Sequence, residues 1–185
     1  MTHADLPAVL RLEAALFGDE AWSEAMLTSE LEGAQASGRY YLIAEDAGGL
    51  VGYAGLLSPG GGQADVLTMA VAEDRWGQRI GARLLDSLVA EASRQGCTEV
   101  FLEVRVDNDR AQRLYRSRGF AAIGVRRGYY QPSGTDALVM QLSLSRPRPR
   151  RFGFAGPRSS GPRSSGLGSS GPRRGDSRPA SGGTR

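Results

Sequence analysis

The sequence contains no lysine; all 23 of its basic residues are arginine. Cysteine occurs once, at Cys97, and histidine once, at His3. A single cysteine rules out an intrachain disulfide framework. With no basic partner evident it reads as a buried thiol rather than a nucleophile. One Cys and one His leave only carboxylates as ligands, so no metal site is predicted. No Walker-type G-x-x-x-x-G-K-[ST] is present, which disfavours nucleotide hydrolysis of that kind. No stretch approaches the ~20 apolar residues of a membrane helix. Asp5 stands early and no long apolar run follows, so a signal peptide is not expected. These absences predict a cytoplasmic protein with no membrane partner.

Charge is distributed unevenly. Residues 146–185 hold ten Arg, nine Gly, eight Ser and six Pro, with "GPRSS" repeated at 156–160 and 161–165. Such a segment has too little apolar surface to offset its ordering entropy, so a disordered C-terminal tail is predicted. Its ten arginines and one aspartate give it +9, leaving −6 on residues 1–145 against the overall +3. Affinity for polyanions, such as a weak RNA contact, is therefore expected of the tail. Residues 1–145 are expected to form one domain.

Periodicity predicts a helix over residues 3–17, with Asp5 as N-cap and an apolar stripe from Leu6 through Leu16. A short helix over 22–33 follows, capped by Ser23. "RYYLIAED" and "LVGYAGLLS" flank "AGG" as a hairpin, and "GGG" at 60–62 leads into a third strand, "ADVLTMAV". A helix is predicted over 76–96, then the strand "TEVFLEVRV" and the helix "DRAQRLYRSRG". In that helix Asp109 and Gln112 have capping-box spacing, and Gly119–Phe120 reads as a Schellman end. "AAIGVRRGYY" and "DALVMQLSL" supply two more strands. The predicted class is α/β, a mixed central sheet flanked by helices in a single domain.

Three features bear on chemistry. Gly77, Gly81, Arg75 and Arg79 stand at a helix start, where exposed amides and glycines suit phosphate. Glu103 lies within an apolar strand, where partial desolvation suits a carboxylate to accept a proton; it equally fits an exposed glutamate paired with an arginine such as Arg105. Tyr115 shares a helix face with Ala111 and Leu114, as a core tyrosine with its hydroxyl at the edge would.

Taken together, "EVRVDNDRAQRLYRSRGF", "VRRGYY" and "DALVM" resemble the RimI-type ribosomal-protein-alanine N-acetyltransferases of the GNAT superfamily. Their pattern is E-V-R-x-x-N-x-x-A-x-x-L-Y-x-x-x-G-F, then R-R-x-Y-Y and D-A-x-x-M. The resemblance spans roughly residues 3–144 and implies the GNAT fold, with acetyl-CoA as cosubstrate. It implies Glu103 as general base toward a protein N-terminal amine and Tyr115 as general acid toward the CoA thiolate. Met69, Ala70 and Val71 would line the pantetheine arm, the Val71 N–H polarising the thioester carbonyl. Gly77, Gln78, Arg79, Ile80, Gly81 and Ala82 would wrap the pyrophosphate, and Asn108 would contact the cosubstrate. The implied partner is the N-terminal alanine of a small-subunit ribosomal protein.

The chain departs from the family's [QR]-x-x-G-x-G loop: Trp76 stands at its first position and Arg79 at its central glycine, while Gly81 keeps its place. Thr135 stands where an acid often precedes Asp136. Two other readings accompany the first: a GNAT enzyme acting on other N-termini, lysines or small amines, and a cofactor-impaired RNA- or ribosome-binding module.

Overall fold

A computed structural model describes residues 1–33 and 38–144. The expected boundary at Ser145 and the Arg-rich segment 146–185 lie outside the described residues. Helices α1 (Leu6–Phe17) and α2 (Glu24–Gly33) precede strands β1 (Arg39–Asp46), β2 (Gly49–Gly60) and β3 (Gln63–Val71). Helix α3 (Ile80–Arg94), β4 (Glu99–Arg105), α4 (Asp109–Ser117), β5 (Ala121–Tyr130) and β6 (Thr135–Ser143) complete the order. Among the described residues no helix is long and apolar enough to cross a membrane.

The strands form one sheet in the order β1-β2-β3-β4-β6-β5. Pairing is antiparallel except between β3 and β4, which run parallel across the α3 crossover. Helices cover both faces. On one face, Leu84, Leu85, Leu88 and Ala92 of α3 pack with Val100, Leu102 and Val104 of β4 and with Tyr115 and Phe120. On the other, Leu6, Val9 and Leu12 of α1 and Leu27 of α2 pack on Tyr53 and Ala70. Leu85 and Leu88 are fully buried, and removing such a side chain from water contributes about 1.5–3 kcal/mol each.

Local structure differs from expectation at three helix starts. Asp5 stands at the N-cap of α1 but its side chain makes no cap bond; its carboxylate accepts from the Thr2 N–H and hydroxyl, closing a preceding 3-10 turn. Helix α3 begins at Ile80 rather than at residue 76, because Arg79 adopts a left-handed φ of 62° that cannot continue a helix. At α4 the capping box of Asp109 and Gln112 is absent. Asn108 caps instead, its Oδ1 accepting from the Ala111 N–H at 3.0 Å. The Gln112 amide donates to the carbonyls of Arg105 and Val106, at 3.1 and 3.0 Å. That side chain bolts α4 to the end of β4. Ser23 does cap α2, accepting from the Met26 N–H.

Candidate active site

The parallel pair β3/β4 parts midway. Its register runs from Gln63–Glu99 to Val66–Leu102 and stops, although β3 continues to Val71 and β4 to Arg105. The Ala72 N–H donates to Val51 on the β2 side. Because N–H groups alternate in direction along a strand, Met69 and Val71 aim theirs away from β2, into the gap. The gap belongs to a cavity of about 900 Å³ lined by elements from both faces of the sheet, within the range typical of small-molecule sites.

Side-chain alternation sets the two candidate proton-transfer groups on opposite faces. Val100, Leu102 and Val104 turn into the α3/α4 core, so Phe101, Glu103 and Arg105 turn to the face that carries α1 and α2. Tyr115 comes from α4 on the opposite face. Both Glu103 and Tyr115 line the cavity, which joins the two faces where the strands part.

Tyr115 is buried, and burial pushes its phenol up to about 12; it stays protonated at neutral pH, as a proton donor must. Glu103 is partly buried and paired with Arg126 of β5 at 2.9 Å. The arginine partner is thus Arg126, not Arg105. Arg105 instead binds both Glu20 oxygens at 2.8 Å, reaches Ser133 and Asp107, and lies over the Tyr130 ring. Asp107 and Glu20 push the Arg105 guanidinium further up. The Ser133 hydroxyl, then Arg105, holds Glu20 below the usual carboxylate range. This cluster ties the turn after α1 to the β5–β6 loop beside Glu103.

The loop between β3 and α3 forms another wall. Met69, Ala70, Val71, Gly77, Arg79, Ile80, Gly81, Ala82 and Asn108 all line the cavity; Gln78 does not line it, its amide reaching the Asp74 carbonyl at 3.4 Å. No side chain caps the first turn of α3, and Arg79, Ile80, Gly81 and Ala82 at that start line the cavity; the uncapped leading N–H groups of a helix suit an anion. Gly81 stands against Leu114 of α4: a Cβ there would lie 3.4 Å from that leucine's Cδ2. A larger residue would crowd the cleft between the helices. These features fit a phosphate-bearing cosubstrate.

Three contributions were not legible beforehand. Glu13 is buried at the cavity wall, accepting from the Tyr53 hydroxyl and, at 2.8 Å, from the Trp22 N–H. Burial pushes its carboxyl up against the opposing effect of those two bonds. Glu20 enters from the turn after α1, 85 residues away from Arg105. Trp76 donates its indole N–H to the Val71 carbonyl at 2.8 Å and carries Arg110 over its ring. Glu13 falls among the apolar positions of α1, the one signal that marked it.

Comparison with known proteins agrees with this geometry. Residues 6–120 match the acetyltransferase (GNAT) family. The N-alpha-acetyltransferase RimI of Mycobacterium tuberculosis is 42% identical over 145 residues, covering 76% of this chain and 88% of that protein. The crystal structure of the ribosomal-protein-S18-alanine N-acetyltransferase from Escherichia coli superposes with a TM-score of 0.68 at 30% identity, over 78% of this chain and 91% of that one. Ard1 from Thermoplasma volcanium gives 0.70 at 26% identity, over 78% and 95%. A sheet parted between β3 and β4, an uncapped helix start beside the gap and a family match over most of the described residues lead to one conclusion: the chain belongs to the acetyltransferase (GNAT) family, enzymes that take their acetyl group from acetyl-CoA.

Proposed function

We propose that the protein is an Nα-acetyltransferase acting on a protein N-terminus, the N-terminal alanine of a small-subunit ribosomal protein in the cytoplasm. The observation that carries this reading is the placement of Glu103 and Tyr115 in one cavity, reached from opposite faces of the sheet where β3 and β4 part. The Escherichia coli enzyme named above as a ribosomal-protein-S18-alanine N-acetyltransferase supports the choice of acceptor.

Acetyl-CoA supplies the acetyl group and a thiol leaving group. The Val71 N–H, aimed into the gap, donates to the carbonyl undergoing attack, as an oxyanion-hole donor does. The α3 start, with Gly77, Arg79, Gly81 and Ala82, holds the phosphates. Glu103 accepts a proton from the incoming ammonium, which replaces Arg126 as its cationic partner. Tyr115, protonated and facing the same cavity, delivers a proton to the departing sulfur. Direct transfer fits a chain whose single cysteine is buried, with no basic partner among the described residues.

The test is acetylation of an Ala-initiated peptide, with the modified atom located by fragmentation mass spectrometry. Acetylation confined to the α-amine is the expected result. Modification of an internal lysine or a small amine alone would favour the second reading from sequence and overturn this one. The Arg-rich segment 146–185 is proposed to make a weak RNA contact that raises the local concentration of a ribosomal acceptor. Its removal should reduce RNA binding, more so at low salt, and leave turnover of a free peptide unchanged. Equal RNA affinity with and without the segment would refute the tether.

A further inference from the structure

We propose that Arg110, stacked on Trp76, binds the phosphate-bearing half of acetyl-CoA and supplies the charge that this chain's loop lacks at position 76. The inference rests on the acetyltransferase reading and adds to it two residues of which neither matches the family pattern: position 110 is unspecified there, and position 76 is normally Gln or Arg.

Both side chains line the cavity, from different walls. Trp76 belongs to the β3–α3 loop, its indole N–H anchored on the Val71 carbonyl at the end of β3. Arg110 is the second residue of α4 and lays its guanidinium over that indole. The stack therefore spans the mouth of the cleft, between the phosphate-facing helix start and the helix that carries Tyr115.

The guanidinium is available to an anion. It enters none of the ion pairs among the described residues. Glu73 acts on it only as a nearby charge, and partial burial lowers its proton affinity. A guanidinium stacked on an aromatic face keeps its edge N–H groups free, and their planar fork matches phosphate oxygens. Trp76 cannot hold phosphate itself. By ordering the Arg110 plane, it lowers the entropy lost when that plane engages a ligand. A loop position that usually carries the polar side chain has thus become a platform, and the charge comes from the opposite wall.

The test is calorimetric titration of the full chain with acetyl-CoA and with acetyl-pantetheine, which keeps the thioester arm but lacks the pyrophosphate and nucleotide. Arg110→Gln, at an exposed position, should weaken acetyl-CoA about 10-fold or more and leave acetyl-pantetheine unchanged. Trp76→Ala should show the same selectivity. The double variant should lose little more than either single one, because the two side chains act as a unit. Equal loss on both ligands, or no loss on either, would overturn the proposal while leaving the acetyltransferase reading intact. If the unaltered protein bound neither ligand, both would fall together.

Discussion

Phe120 and Tyr115 are bound to each other twice. The Phe120 N–H donates to the Tyr115 carbonyl at 3.1 Å, and their rings pack with centroids 6.0 Å apart. With Gly119 at φ 89° donating to Arg116, these are the two bonds and the apolar contact of a Schellman motif. The end of α4 thereby fixes the residue assigned as general acid. Phe120→Ala should destabilise by about 3–5 kcal/mol, read from urea unfolding. Gly119→Ala, forced into a left-handed conformation, should cost about 1 kcal/mol or more. Wild-type stability in either variant would mean that the motif does not hold this helix end.

Glu103→Gln should lower turnover by about 10²–10⁴-fold, with acetyl-CoA affinity unchanged, because the role proposed for the carboxylate is toward the amine. Tyr115→Phe should also lower turnover while leaving the fold intact. The Tyr115 phenol, raised by burial from 10.0 to about 12, favours folding in its neutral form. Its contribution to stability is present below pH 10 and lost as pH rises through about 12. The Tyr115→Phe variant should therefore lack this part of the alkaline destabilisation. Near-normal rates in both variants would return the two residues to ordinary packing roles.

Arg79 is the one non-glycine residue with a positive φ among those described, at 62°. It holds the left-handed conformation that the family's glycine adopts freely, at a cost of about 1–2 kcal/mol. Arg79→Gly should raise Tm by about 3 °C and leave acetyl-CoA binding equal or improved. A clear loss of affinity at unchanged Tm would show that its charge, rather than its backbone, is what the loop needs.

Glu13 offers a pH test. Its folded value is raised, burial outweighing the Tyr53 and Trp22 bonds. Wild-type stability from this group is therefore full at low pH and declines as pH rises from its ordinary value of 4.5 through the folded one. Glu13→Gln removes that decline. The Tm of the variant relative to wild type should climb between pH 4 and pH 7.5, measured by calorimetry. A difference flat with pH would show that Glu13 does not titrate differently in the folded and unfolded chains.

Alternating strands and 3.6-residue stripes made the four α-helices and six strands visible in advance, because most of these elements bury one face, although β5 is exposed along nearly all its length. The motif around Glu103, Asn108 and Tyr115 was equally visible, since its residues lie within 13 positions on one β-α unit. What the linear pattern could not express is which groups share a space. Glu20 reaches Arg105, and Arg126 reaches Glu103 across the intervening β6, through contacts between elements far apart in the sequence. Asn108 caps α4 rather than Asp109, its side-chain oxygen taking the Ala111 N–H, a choice that the spacing of Asp109 and Gln112 did not express. Trp76 looked like the loss of a polar residue until the cleft brought Arg110 onto its ring. Local periodicity determined the elements; the cavity came from the parting of β3 and β4, a long-range consequence of where their pairing ends.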